Sequence, residues 1–293
     1  LSGFGLPWLF LASSILIGPI TRVVAADRVQ ELQVPSGGQA GFTILPPEAT
    51  GVRFTNTLSD DHAAENQIRL NGSGVALGDV DGDGLCDIFV CACEQRLALY
   101  RNLGHWRFTN ITAAAGLDFP GNYSTGATFA DVEGDGDLDL IVNGIGTGTR
   151  LFLNDGQGHF APAVDAGLAH YGGAMTSALA DIDGDGDLDL YVTNYRTNTV
   201  RSTGFALLNV GGRRMVPPEE RGHLELTPEG RVLEHGEPHF LYLNDGRGRF
   251  RPVAWTGGRF VDEKGRPLPA APRDWGLSAA FRDDEQVLLR LAK

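Results

Sequence analysis

Three short acidic loops contain the residues of this chain whose types and spacing could do chemistry. The loops begin at Asp79, Asp131 and Asp181, and each follows the pattern Asp-x-Asp/Glu-x-Asp-Gly-x-x-Asp. This pattern places carboxylates at positions 1, 3, 5 and 9 and a main-chain carbonyl at position 7, while glycine at position 6 lets the chain turn around a cation. With water or bidentate binding, these oxygens supply the roughly 6–8 ligands that calcium prefers. Zinc prefers nitrogen and sulfur, and magnesium demands strict octahedral geometry, so calcium is the best fit.

The pattern therefore predicts about three Ca2+ sites, one in each loop. The candidate ligands are Asp79, Asp81, Asp83, Leu85 and Asp87 in the first loop, Asp131, Glu133, Asp135, Asp137 and Asp139 in the second, and Asp181, Asp183, Asp185, Asp187 and Asp189 in the third. Position 7 (Leu85, Asp137 and Asp187) contributes its main-chain carbonyl.

The EF-hand is the main competing interpretation of such a loop. It needs a bidentate glutamate at position 12 and a helix on each side. Position 12 is Val90, Val142 and Val192, each within a short apolar run typical of a strand, so an EF-hand is excluded. A metal-free alternative, in which the aspartates form only Asx turns, stays open. Three copies at a regular spacing favour calcium.

The acidity of the chain is concentrated in these loops. The formal net charge is −13, and the three loops contain four, five and five carboxylates. Like charges this close repel one another unless a cation lies among them. There is no basic stripe to meet phosphates, so a nucleic-acid partner is not expected.

The loops belong to a longer internal repeat. SGVALGDVDGDGLCDIFV recurs as TGATFADVEGDGDLDLIV and TSALADIDGDGDLDLYV, and the first aspartates are 52 and 50 residues apart. A second signature follows each loop, in the forms LALYRNLGHWRF, RLFLNDGQGHF and FLYLNDGRGRF. Each unit is thus predicted to be a strand, an acidic loop, a strand, a tight turn and a strand. Periods of about 40–50 residues with several short strands predict the blades of an all-β propeller.

These strings resemble the FG-GAP or VCBS repeat superfamily, the integrin-α-type propeller blade. The residues NGSGVALGDVDGDG and LYRNLG are most similar to its cartilage-acidic-protein-like branch, whose members often end in an ASPIC/UnbV domain. The resemblance implies a seven-bladed propeller with calcium between blade strands, exported and acting in adhesion or recognition. About four blade equivalents are present. The fourth loop, announced by DWGLSAAFRD, lacks the Gly-Asp-Gly expected after Asp283, so a truncated member is expected.

The N-terminus reads as a targeting segment. Residues 3–20 are almost free of polar groups, and small residues at Ala25 and Ala26 suit signal-peptidase cleavage. A retained membrane anchor is the alternative, although Pro7 and Pro19 favour a cleaved segment. The expected location is secreted or extracytoplasmic, which means periplasmic or extracellular in a bacterium. The predicted organisation is a signal peptide or anchor at 1–26, a linker at 27–50, propeller repeats at 51–285 with an insertion at 196–238, and a tail at 286–293.

The expected function is that of a calcium-binding scaffold for a protein or glycan partner, and no catalytic residue is predicted. The string HGEPH at 235–239 is unlike a zinc-protease helix because Pro238 would break that helix. Two alternatives remain: an enzyme acting on polysaccharides in the manner of a lyase, and a remnant without function. A membrane partner is expected only if the N-terminal segment is retained.

Overall fold

The computed structural model describes residues 41–120 and 123–281, and the described residues from Leu45 onward form one compact unit. The predicted signal segment 1–26, most of the linker 27–50, Asp283 and the tail 286–293 lie outside the described residues. Within the described part, none of the helices is both long and apolar enough to cross a bilayer.

Three antiparallel sheets of four strands form the body of the described chain. The first contains β1 (Val75–Gly78), β2 (Asp87–Val90), β3 (Ala98–Asn102) and β4 (Phe108–Asn110). The second contains β5 (Ser124–Ala130), β6 (Asp139–Gly144), β7 (Gly148–Asn154) and β8 (Phe160–Pro162). The third contains β9 (Ala174–Ala180), β10 (Asp189–Asn194), β15 (Phe240–Asn244) and β16 (Phe250–Pro252). The all-β prediction is confirmed, and each sheet corresponds to one sequence repeat.

Within each sheet the strands lie side by side in chain order. The acidic loop joins the first two strands, and the LYRN, LFLN or LYLN string forms the third strand. The second strands β6 and β10 are buried along their whole length, which explains why they are continuous apolar runs rather than alternating ones. The hydrophobic cores lie between neighbouring sheets: one combines Phe89 and Leu99 with Leu140 and Phe152, and a second combines the second and third sheets.

The segment that follows each fourth strand links one sheet to the next. The N–H of Phe160 in β8 donates to the carbonyl of Ala115 at 2.8 Å, and the N–H of Phe250 in β16 donates to that of Ala166 at 2.7 Å. The adjoining Gly167 has φ +78°, and a Cβ there would lie 2.1 Å from the carbonyl oxygen of Phe250. The recurring Ala-Gly-Leu signature is therefore the link between consecutive sheets, and glycine is required because the neighbouring chain passes so close.

The insertion lies between β10 and β15, which pair with each other. It contains a short helix and two hairpins: α3 (Val200–Thr203), β11 (Leu208–Val210), β12 (Arg213–Met215), β13 (Leu224–Leu226) and β14 (Val232–Glu234). Arg196 is buried and paired with Glu234, and Glu237 accepts the N–H groups of Gly173 and Thr197 at 2.6 and 2.7 Å. These contacts attach the insertion firmly to the third sheet.

The remaining described elements are short. They are α1 (Pro47–Thr50), α2 (Asp60–Glu65) and the 3-10 helices Gln67–Asn71 and Pro218–Glu220. After β16 the described chain has an isolated bridge between Val261 and Pro267 and then runs back beside β9, where Thr176 donates its hydroxyl to the carbonyl of Leu277 at 2.8 Å. Of the four predicted blade equivalents, the three with complete acidic loops are four-stranded sheets in the described residues.

Candidate metal centres

Each acidic loop connects the first and second strand of its sheet. Position 1 directly follows the first strand, and position 9 is the first residue of β2, β6 or β10. The turn between the third and fourth strands lies at the same end of the sheet, because the main-chain N–H of its leading asparagine donates to the position-9 carboxylate in every repeat. The three predicted centres thus occupy equivalent places in the fold.

The loops share one internal fold. The carboxylate of Asp131 accepts N–H groups from positions 4, 5 and 6 at 2.7, 3.2 and 2.9 Å, and that of Asp181 repeats the arrangement at 2.7, 3.1 and 3.1 Å. Asp79 accepts those of positions 5 and 6 at 3.2 and 2.8 Å. The glycines at positions 4 and 6 have φ between +71° and +98°, the left-handed region that glycine adopts readily.

Carboxylate oxygens converge in two of the three loops. Those of Asp79, Asp81 and Asp87 lie within 4.8 Å of one another, as do those of Asp181, Asp183 and Asp185. In the second loop the described side chains do not form such a group of three. Carboxylate oxygens are among the donors that calcium prefers.

The surroundings of the Asp81 side chain show, independently of the sequence pattern, whether the first loop fits a cation. It is only 8% exposed, and its Oδ1 is buried without a hydrogen-bond partner among the described residues. Leaving a buried carboxylate oxygen unpaired is unfavourable, so this atom calls for a positive ligand. The residues of the first loop therefore fit a cation.

The raised pKa values of carboxyl groups in the loops also fit a cation. Burial raises the pKa of Asp139 to about 6, with smaller contributions from Asp135 and Asp131. Burial, then the charge of Asp139, raises the pKa of Glu133. In the third loop, removal from water and then the charge of Asp185 raise the pKa of Asp183. Each carboxylate resists ionisation in the absence of a cation, which a divalent ion would reverse.

The aspartate at position 9 has a second role that the loop pattern does not reveal. The two oxygens of Asp139 accept the N–H of Val132 at 3.0 Å and the N–H of Asn154 at 2.9 Å. Asp87 and Asp189 make the same pair of bonds in their own repeats. All three aspartates are fully buried. Position 9 therefore joins the loop to the third strand, in addition to being a candidate ligand.

The asparagine that ends each third strand is the functional residue missed by the sequence reasoning. The amide of Asn154 donates to the carbonyl of Val80 at 2.8 Å, and Val80 is position 2 of the preceding loop. Asn244 donates to Val132, position 2 of the second loop, at 2.7 Å. The same asparagine in LYRN, LFLN and LYLN was the available signal. These amides fasten each repeat to the acidic loop before it.

The side chains at position 7 lie against the turn rather than in the centre of the loop. A Cβ on Gly156 would lie 2.4 Å from a carboxylate oxygen of Asp137, and one on Gly246 would lie 2.5 Å from that of Asp187. The first loop has Leu85 here instead. This placement agrees with a main-chain, not side-chain, role for position 7 toward a cation.

The first loop also differs in having an arginine beside it. Arg101, on β3, places its Nε 2.6 Å from Oδ2 of Asp81 and donates from Nη2 to Oδ2 of Asp83 at 3.1 Å. The bond to Asp83, then the charge of Asp81, raises the pKa of Arg101. The first loop thus contains an ion pair in addition to its candidate ligands.

Comparison with known families identifies the repeat. The model for the FG-GAP-like repeat matches residues 79–142 and again 134–192, which together span all three acidic loops. Residues 79–192 are thus made of FG-GAP-like repeats. Each match runs from one acidic loop to the strand after the next loop, and the predicted resemblance to FG-GAP repeats is confirmed.

Two curated relatives extend this result. Cartilage acidic protein 1 of Mus musculus and of Homo sapiens are each 29% identical to this chain over 111 residues. The matched segment covers 37% of this chain and 17% of the relative in both cases. The similarity to the cartilage-acidic-protein branch is thus found over part of the chain, and it spans a small part of those longer proteins.

Proposed function

We propose that this FG-GAP protein is an exported scaffold that calcium stabilises and that binds a partner without catalysing a reaction. The observation that best supports calcium binding is the buried carboxylate oxygen of Asp81, which lacks a partner among the described residues. The shared backbone fold of the three loops supports it as well. Calcium at these loops would fix the first two strands of each sheet to one another. The role is structural because each loop lies between β-strands and no helix pair is present there to open.

Thermal unfolding in calcium and in chelator tests the calcium part. Ligand binding to the folded state at about 100 times its Kd adds roughly 2.7 kcal/mol per site, which corresponds to about 5–10 °C for a chain of this size. The midpoint should rise with calcium and fall back on chelation, with magnesium much less effective. Asp183→Asn should remove the contribution of one site to the calcium-induced rise in the melting midpoint. Asp165→Asn, outside the loops, should leave that rise unchanged. Identical midpoints in calcium and chelator would refute calcium stabilisation.

Recognition is proposed to involve the insertion, where two hairpins and the segment before Leu277 enclose a groove of about 540 Å³. The groove is lined by Arg214, Arg221, Arg273 and His235, with Glu225 as the acidic member. Three guanidinium groups at one place in a chain of net charge −13 favour an anionic partner, such as a polysaccharide with sulfate or carboxylate groups.

Binding to heparin, with neutral dextran as the comparison, tests this site. Arg214→Ala should weaken heparin binding several-fold at physiological salt. Arg213→Ala is the matched control, because it removes the same charge from β12 on the opposite face of the strand. Equal effects of the two variants would mean that net charge, not the groove, determines binding. Shortened heparin chains after incubation would support the lyase alternative instead.

Export is proposed from the apolar segment 3–20, and it agrees with relatives that are named for cartilage. N-terminal sequencing of the protein from an expressing culture tests it. A mature chain that begins near residue 27 in the medium or periplasm supports export. Recovery of the unprocessed chain in the cytosol would contradict it.

A further inference from the structure

Arg101 makes the first acidic loop chemically different from the other two. The corresponding residues of the second and third repeats, read from LFLN and LYLN, are Leu153 and Leu243. The guanidinium of Arg101 contacts the carboxylates at positions 3 and 5, which are both candidate calcium ligands. An arginine at this position is therefore a cation supplied by the chain itself.

The first loop would present less negative charge to a bound ion than the second and third loops. The first loop has four carboxylates and one guanidinium, whereas the second and third loops have five carboxylates each and a leucine in place of the arginine. A divalent ion in the first loop would meet a smaller negative charge and a fixed positive group. It would also share Asp81 and Asp83 with the guanidinium.

The guanidinium of Arg101 pairs with only some of the carboxylate oxygens of the first loop. Oδ2 of Asp81 faces Arg101, but Oδ1 of the same side chain is buried and without a partner among the described residues. One carboxylate oxygen of Asp81 also lies within 4.8 Å of carboxylate oxygens of Asp79 and Asp87. The first loop is thus partly neutralised and still has oxygens directed at a cation.

We propose that Arg101 is an internal counterion that makes the first loop a low-affinity calcium site, so that the chain has two tight sites and one weaker site. The proposal rests on the proposed function, since it assumes that the loops bind calcium. A unit charge about 5 Å from a divalent ion, at an effective dielectric constant of about 40–80, lowers affinity by at least about tenfold. The first loop consequently responds to calcium at a concentration at which the other two are already filled.

Calorimetric titration of the chelator-stripped protein with CaCl2 measures this inequivalence directly. The wild-type chain is expected to show two sites of similar affinity and a third that is at least tenfold weaker. Arg101→Leu, which introduces the residue found in the other repeats, is expected to bring the third site within a few-fold of the others. Arg107→Leu is the matched control, because it removes one exposed charge from the turn of the same sheet and should leave the weak site unchanged.

The outcomes separate this proposal from the proposed function. Three equal sites in the wild-type chain, or an Arg101→Leu variant that binds the third ion no better, would overturn the counterion role while leaving calcium binding in place. Weaker binding in Arg101→Leu would show instead that the guanidinium braces the ligands. No calcium binding by either protein would overturn the proposed function as well. Should Arg101→Leu fail to fold, Arg101→Gln and the wild-type titration still decide the matter.

Discussion

Replacing Asn154 by alanine should destabilise the chain far more than the same replacement of Asn102, although the two asparagines occupy the same place in their repeats. The amide of Asn154 donates to the carbonyls of Val80 and Leu138 at 2.8 and 3.1 Å and accepts the N–H of Gly158 at 3.2 Å. Its side chain is buried. Alanine would remove all three bonds and leave the carbonyl of Val80, in the neighbouring repeat, without this donor.

The expected loss in the free energy of unfolding follows from the number of hydrogen bonds removed and from the burial of the side chain. Three lost bonds at about 1 kcal/mol each, with the added cost of a buried group left unpaired, give about 3–5 kcal/mol. Asn102 makes two such side-chain bonds, to the carbonyl of Cys86 and from the N–H of Gly104, both within its own repeat and nearer solvent. Asn102→Ala should therefore cost about 1–2 kcal/mol.

Denaturant unfolding of both variants in saturating calcium provides the measurement, with the difference in the free energy of unfolding as the readout. A difference of about 2 kcal/mol corresponds to about 4–8 °C in the melting midpoint. Equal losses in Asn154→Ala and Asn102→Ala would refute the reasoning, since they would show that the bond between repeats adds nothing to the bonds within one. Far-UV circular dichroism confirms that both variants begin folded.

Three further outcomes are expected. Glu133→Gln should leave stability in chelator unchanged or raise it by up to about 1 kcal/mol, because burial and its neighbours raise the pKa of Glu133, and it should lower the calcium-induced rise in the melting midpoint. Gly167→Ala should cost at least about 2 kcal/mol, because its Cβ would meet the Phe250 carbonyl, whereas Gly230→Ala, with similar φ in open space, should cost about 1 kcal/mol in the same denaturant assay. Burial lowers the pKa of His239, so below about pH 6.5 this side chain binds a proton more readily in the unfolded chain than in the folded one. The free energy of unfolding should therefore fall as pH decreases through about 6.5. His239→Gln should reduce that fall when unfolding is compared at pH 7.5 and 5.5.

The repeats and loops were predictable because their information is local. Glycines and aspartates at fixed offsets specify a tight acidic loop, and short apolar runs on either side specify strands. The equivalence of the three loops then follows from their spacing alone. The structure confirms the all-β architecture and the assignment of one four-stranded sheet to each complete repeat.

Other features depend on residues far apart in the chain and could not be predicted. The bond from Asn154 to Val80 joins positions 74 residues apart, and it requires knowing which strand end faces which loop. The two hairpins of the insertion were not predicted either, and its anchors Arg196 and Glu234 pair across 38 residues. The double role of Asp139 was hidden for the same reason, since its partner Asn154 belongs to another strand.

The amides of Asn154 and Asn244 also give the array of repeats a direction. Each amide donates to the carbonyl of the second residue of the preceding loop, so an ion bound in that loop would order the carbonyl to which the following repeat is attached. In a chain whose units contact mainly their neighbours, stability is the sum of each unit and each junction. Under the proposed calcium binding, an ion in the first loop would strengthen the junction to the second sheet, and an ion in the second loop would strengthen the junction to the third. If the first loop is the weaker site, as proposed, the junction between the first and second sheets would be strengthened only after the junction between the second and third sheets.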